Sequence, residues 1–223
     1  MKIVGTPLWL ASTNSWMVSG DDRECIVIDC PPEPDVILRA AADAGLRIVA
    51  IVATHGHIDH TGGIPTVAAK ASPAGSSPIP VHRHPHDHSY FTDPVGSSSL
   101  LGAALAETGL DLRPPELLVD LGDGDVIKGA GLAITVIHTP GHTPGSVCLR
   151  VAAQGEEVLF TGDHLFSGSI GRVDLPGGSM ESLMRSMVEK ILPLPDELAV
   201  LPGHGPTTTI GRERAENPFL QRS

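Results

Sequence analysis

The chain has 223 residues, 41% apolar and 18% charged, a balance that excludes wholesale disorder and makes residues 1–223 a single large domain in expectation. Lys and Arg number 15 against 26 Asp and Glu, and a net charge of −11 argues against a nucleic-acid partner. No run of roughly 18 uncharged apolar residues is present, which excludes a membrane-spanning helix.

The apolar N-terminal stretch 3–10 is broken by Pro7 and is too short for a signal peptide, so a cytoplasmic location is the expectation. Residues 16–18 and 25–28 are short apolar runs on either side of the polar turn 19–22, a hairpin signal. A helix is predicted over 34–44, stopped by Gly45, and residues 47–53 read as a strand buried on both faces. Residues 54–61 form a polar, His-rich loop, and a helix resumes over 62–71. After a Pro/Ser/Gly linker at 72–80 comes another short strand, and 100–105 carries a helical pattern. Strands follow over 117–121, 125–128, 132–138, 146–152 and 158–161, separated by Gly-rich turns. Residues 179–191 are an amphipathic helix with Ser179 as N-cap, 198–201 a last core strand, and 208–216 a last helix. Each half of the chain runs from hairpin or meander to helix, strand and helix, which suggests two packed sheets with helices outside. Cys25, Cys30 and Cys148 have no metal-type spacing and read as buried thiols of a reducing compartment.

The eleven histidines carry the chemistry. The strand 47–53 runs into Thr54-His55-Gly56-His57-Ile58-Asp59-His60. The strand 132–138 leads to Thr139-Pro140-Gly141-His142, 158–161 to Gly162-Asp163, and 198–201 to Pro202-Gly203-His204. Residues just beyond the C-terminal ends of buried strands lie at one rim of a sheet, where sites of this kind gather. Neutral imidazole and carboxylate suit Zn, Fe or Mn. Seven ligand-type side chains exceed what one tetrahedral ion uses, so two divalent ions are expected, bridged by Asp163 and sharing a hydroxide. Asp29, at the end of its strand, is placed to orient a ligand histidine. His82, His84, His86 and His88 repeat at period two, but Pro85 and polar surroundings read as an exposed loop rather than a further metal site. His138 reads as packed or supporting, and His164 points away from Asp163.

His55-x-His57-x-Asp59-His60, with His142, Asp163 and His204, resembles the metallo-β-lactamase superfamily over essentially the whole chain. The resemblance implies an α/β fold: an αββα sandwich of two mixed β-sheets packed face to face with helices outside. The runs Thr139 to Ser146, Thr161-Gly162-Asp163 and Pro202 to Thr208 are similar to glyoxalase II-type thioester hydrolases. By that resemblance His55, His57 and His142 hold one metal, Asp59, His60 and His204 the second, and Asp163 bridges them. Zinc is the first choice of ion, with iron or manganese as alternatives, and Asp59 is both ligand and proton acceptor. The implied partner is a small-molecule acyl-thiol. Gly171-Arg172 matches a Gly–basic pair at the thiol moiety, so Arg172 is a candidate carboxylate anchor, with pairing to Asp174 as its structural alternative. Tyr90 is a second candidate at the substrate, or else a half-buried aromatic. The thiolate that many β-lactamases use in place of the bridging Asp is absent, which disfavours antibiotic hydrolysis. Only 19 residues follow His204, too few for the helical domain with which glyoxalase II binds glutathione, so the thiol is left open. The other readings are a mononuclear-iron persulfide dioxygenase of the same superfamily, a lactone or ester hydrolase, and a non-enzymatic metal-binding protein.

Overall fold

The computed structural model describes residues 1–21, 23–72, 75–98 and 107–221. The first sheet takes its strands in chain order: β1 (Lys2–Leu8), β2 (Thr13–Ser19), β3 (Glu24–Ile28), β4 (Arg47–Val52), β5 (Val81–Arg83) and β6 (Leu118–Asp120). Strands β1, β2 and β3 are antiparallel neighbours, and β3 to β6 run parallel. The second sheet contains β7 (Val126–Gly129), β8 (Leu132–His138), β9 (Val147–Ala153) and β10 (Glu156–Gly162) as an antiparallel meander. After the small hairpin β11 (Leu165–Phe166) and β12 (Ser169–Ile170), β13 (Ala199–Pro202) joins β10 in parallel, and β14 (Thr208–Thr209) closes the edge.

Burial follows the strand pattern. Val18, Ile26, Ile28 and Val52 of the first sheet face Ile134, Val136, Leu149 and Phe160 of the second, forming the core between the sheets. Trp16 meets Phe160 edge-on at 5.7 Å, and its indole N–H donates to the carbonyl of Pro202, 3.1 Å away. The outer face of the first sheet packs Val27, Ile51 and Val81 against Ile37 and Ala41 of helix Pro34–Asp43 and Ile64 and Val67 of helix Ile64–Ala71. The outer face of the second packs Cys148, Leu159 and Val200 against Leu183, Met187, Ile191 and Ile210. Two mixed sheets face to face with helices outside are the αββα sandwich expected from the sequence. The three cysteines are free and buried. Among the described residues no helix is long and apolar enough to cross a membrane.

Several elements differ from the sequence reading. The Pro7-containing stretch is the edge strand β1, where a missing N–H can face away from the ladder. Within the His-rich segment, Ile58–Thr61 is one helical turn. The helix after Ser179 runs Met180–Ser186 and continues as a π turn, Met187–Ile191, in which the Leu192 N–H reaches the Met187 carbonyl at 2.9 Å. Thr208 and Thr209 pair as β14 before the last helix, Ile210–Glu216. The helical pattern at 100–105 lies outside the described residues.

Backbone bonds carry the sheet register into the loops beyond it. Val147 N–H donates to the Thr54 carbonyl at 2.8 Å, Gly203 N–H to Gly162 at 2.8 Å, and Asn14 N–H to Gly203 at 2.7 Å. Trp16→Ala removes the edge contact with Phe160 and the bond to Pro202 together. It is expected to destabilise the protein by about 3–5 kcal/mol, read as a lower denaturation midpoint at unchanged m-value.

Candidate metal centre

The four strand ends converge. His55 and His57 follow β4, His142 follows β8, Asp163 follows β10, and His204 follows β13. His142 Nε2 lies 3.2 Å from His55 Nε2 and 2.9 Å from His57 Nδ1. His60 Nε2 lies 3.3 Å from His204 Nε2 and 3.5 Å from Asp59 Oδ2, and His204 Nε2 is 3.3 Å from the same oxygen. Asp163 stands between these groups, with Oδ1 3.2 Å from His60 and Oδ2 3.4 Å from His204 and 3.6 Å from His142. All seven side chains singled out in the sequence therefore meet at one place, in two groups joined by Asp163.

Four of the five rings are aimed by their other nitrogen. His142 Nδ1 donates to the carbonyl of Arg172 at 2.7 Å, and His204 Nδ1 to that of Ala11 at 3.1 Å. His60 Nδ1 donates to Asp29 Oδ2 at 2.7 Å. Asp29 also accepts the Thr54 N–H and Thr54 hydroxyl, each at 2.7 Å, so that hydroxyl in turn accepts His55 Nδ1–H at 3.1 Å. Since these Nδ1 atoms carry the protons, the Nε2 lone pairs of His55, His60, His142 and His204 all turn inward. Asp29 stands at the end of β3, within hydrogen-bond distance of His60. Its backbone is left-handed, with φ +58°, a conformation Asp tolerates better than most residues.

Electron-rich atoms at these separations repel unless a cation or protons lie between them. Without a cation, protons fill that role. Burial opposes a charge on His204, yet Asp163 and Asp59 hold its pKa up at about 9. His60 is likewise raised against its burial by Asp163, Asp59 and Asp29. Burial and the neighbouring His142 push His57 down to about 4, and burial with His60 and His142 pushes His55 far down, so both imidazoles are neutral at neutral pH. Asp163 Oδ1 is buried with no aligned hydrogen-bond donor. The donor set is imidazole and carboxylate with no thiolate, and it fits divalent transition-metal cations. Close backbone approach makes room for it: a Cβ at Gly171 would sit 1.8 Å from the Asp163 carbonyl, and one at Gly203 would sit 2.3 Å from Asp163 Oδ1.

Sequence reading missed the residue that joins the two histidine loops. Asp87 is buried, and its Oδ2 accepts Gly56 N–H at 2.8 Å and the Thr143 hydroxyl at 2.7 Å, while Oδ1 accepts Gly145 N–H at 2.7 Å. Burial raises its pKa, opposed by those three bonds. The sequence signal was an acid in an otherwise His-rich tract, overshadowed by the histidines around it. Thr13, which donates to Asp59 Oδ2 at 3.0 Å, and Asn14, which donates to the Pro202 and Gly205 carbonyls at 3.0 Å, had no sequence signal.

The other candidates are also placed. Arg172 lines the cavity over the donors, but its guanidinium is held by Asp174 through two bonds of 2.7 and 2.8 Å. The half-buried Tyr90 meets His57 edge-on at 5.6 Å, and its hydroxyl is 3.5 Å from the Pro176 carbonyl. His164 is buried, with both ring nitrogens unpartnered and its pKa pushed down to about 3 by burial and the neighbouring His142. His82 and His84 are not on an exposed loop: His82 lies in β5 and His84 is buried beside it, and only His86 and His88 are exposed.

A family model described as the metallo-beta-lactamase superfamily matches residues 8–204. The chain belongs to that superfamily. Among its superfamily relatives, a hydroxyacylglutathione hydrolase (GloC) of Haemophilus influenzae is 30% identical over 99% of this chain and 98% of that protein. The crystal structure of BLEG-1, a B3 metallo-beta-lactamase, has a TM-score of 0.82 at 35% identity, covering 98% of this chain and 99% of that one. TTHA1623 in a di-iron-bound form has a TM-score of 0.77 at 33% identity, covering 97% and 100%.

This superfamily site predicts two outcomes. Because His204 is held near pKa 9, metal must displace a proton there at any lower pH, so apparent metal affinity should rise from pH 6 toward pH 9. Chelator-competition titrations across that range check it, and a flat profile would contradict it. Asp87→Ala leaves the Gly56 and Gly145 N–H groups without their acceptor. It is expected to cost about 1–3 kcal/mol per unsatisfied group and to speed metal loss, measured by thermal unfolding and by transfer of metal to a chelator.

Proposed function

We propose that this superfamily member is a metal-dependent thioester hydrolase acting on a hydroxyacyl-thiol. In this reading His55, His57 and His142 hold one ion, Asp59, His60 and His204 the other, and Asp163 is shared. The observation that carries it is the cavity over these donors, about 310 Å³, with His57, Asp59 and His204 on its floor and Ile58, Leu175 and Pro176 on its walls. That shape offers a polar reacting end and an apolar berth for a thiol arm. The GloC relative, named for a hydroxyacylglutathione, supports the same class. Zinc is the ion assigned, with iron the alternative that the di-iron form of TTHA1623 suggests. A cytoplasmic location fits the three free, buried cysteines.

Divalent ions bound there supply Lewis acidity and bring the pKa of a water close to neutrality. The protein's own residues do the rest. Burial opposes ionisation of Asp59, but His60 and His204 hold its pKa at about 2, so it is a carboxylate at neutral pH, placed at the floor where it would hold an ion and stand as the candidate proton acceptor. His142 is fixed in place by the main chain of Arg172, while the Arg172 side chain waits at the rim on Asp174. Exchange of Asp174 for a substrate carboxylate would anchor the acyl-thiol, and the Tyr90 hydroxyl can turn from its long contact with Pro176 toward an acyl oxygen.

S-lactoyl-thiols should be hydrolysed by the zinc-loaded protein, and the activity should vanish on chelation and return with Zn²⁺. A folded, metal-loaded protein that leaves thioesters intact overturns the reading, whether it then opens a β-lactam, as the name of BLEG-1 would suggest, or consumes O₂ with a persulfide. His57→Ala should lower metal content and turnover together. Arg172→Ala should raise KM for a carboxylate-bearing thioester about tenfold or more with little change in kcat, the size expected for losing a charged hydrogen bond.

A further inference from the structure

A third group of imidazoles lies outside the seven-residue site. The chain turns at Pro85 into the short 3₁₀ turn Pro85–Asp87, which separates the period-two histidines of the sequence. His82 remains in β5, and His88 Nδ1 pairs with Arg83 Nη2 at 2.7 Å. His84 and His86 are left on one side, ring centroids 4.8 Å apart, and there they meet His138 from the end of β8. His84 and His138 stack face to face at 3.9 Å and 11°, and the His86 ring crosses them at 70° and 67°. One potential ligand atom from each of the three lies within 4.8 Å of the others.

We propose that His84, His86 and His138 form a separate, solvent-open site for one borderline divalent transition-metal ion of the Zn²⁺, Cu²⁺ or Ni²⁺ class. The partner of His138 decides its tautomer. Its Nε2 lies 2.9 Å from the Pro144 carbonyl, which can only accept, so Nε2 carries the proton and Nδ1 presents a lone pair, as in orientated metal-binding imidazoles. Burial, with His138, His86 and Arg83 alongside, holds His84 at about 4, so it is neutral and available at physiological pH. His86 is exposed and can swing toward the pair, and because the His84 and His138 rings are parallel at 3.9 Å, one of them turns out of the stack to bring its in-plane lone pair to a shared ion. His84 accepts the His86 N–H through Nδ1 at 3.2 Å, and coordination through Nε2 would give up that long bond as the ring proton moves to Nδ1.

The cations nearby are already paired. Arg83 faces Asp120 at 2.6 Å, and Lys190 reaches Asp123 at 2.9 Å and the His138 carbonyl at 2.8 Å. The approaching ion therefore meets no uncompensated positive charge from these two side chains, on a molecule whose net charge of −11 draws cations in. Three imidazoles without thiolate or carboxylate favour Zn²⁺, Cu²⁺ and Ni²⁺ over Mg²⁺ and Ca²⁺. The site shares no donor with the two groups around Asp163, so it stands whether or not thioesters are the substrate.

Equilibrium dialysis of the folded protein against Zn²⁺, followed by elemental analysis, tests it. Wild type should retain one more Zn²⁺ per chain than His86→Asn, whose exposed side chain makes misfolding no concern. His138→Asn should lose the same ion, and His84→Asn should agree if it folds. Affinity for that ion should fall by at least about 10–100-fold, the effect that even outer partners of a ligand command. Cu²⁺ loading gives a second readout, with nitrogen hyperfine structure from three ligands falling to two in His86→Asn. Equal stoichiometry in wild type and variants overturns the site. So does a loss confined to His86→Asn, which would mean a lone surface imidazole.

Discussion

Lone pairs and carboxylate oxygens turned toward one another are the constraint on which the rest of this structure depends. A single imidazole at a strand end is unremarkable chemistry, but five of them with Asp59 and Asp163, packed at 2.9–3.6 Å, form a cluster that must hold positive charge to persist. The protein fixes this crowding through the far side of four of the five rings. Carbonyls of Arg172 and Ala11, the hydroxyl of Thr54 and the carboxylate of Asp29 take up the Nδ1 protons and leave the inward nitrogens bare. A rotated ring would lose its outer bond and its inner role together.

The same dependence explains the sheet arrangement. The Asp29–Thr54–His60 network belongs to the first sheet, while His142, Asp163 and His204 belong to the second. Neither half holds the full set of donors. The core between the sheets, with Trp16 against Phe160 at its edge, is therefore also what sets the distances at the site. The indole N–H of Trp16 ends on Pro202, two residues from His204, so packing and ligand placement are joined through one side chain.

Much of this was legible in the sequence, because the buried strands are near-continuous apolar runs and the clustered His and Asp residues follow them at once. The His55–His60 motif, His142, Asp163 and His204 needed no tertiary information beyond that rule. Asp29 was readable for the same reason. Other features were hidden because their cause is tertiary. Strand β1 carries a proline and is stabilised by pairing at an edge, which local pattern does not show. Asp87 reads as one more polar residue until the fold brings Gly56, Thr143 and Gly145 to it from two separate loops. The period of two in His82, His84, His86 and His88 misleads, since a 3₁₀ turn breaks it and a residue from the other sheet completes the trio.

The bridge between Thr13 and His204 joins a residue near the beginning of the chain to one near its end. Contacts of such long sequence separation form late in folding, because a large loop must close first. During synthesis the first histidine loop therefore emerges long before its counterpart, with only part of the donor set beside it. The bridge that seats His204 beside Thr13 thus also sets how far its ring stands from His60, 3.3 Å across the junction of the two sheets.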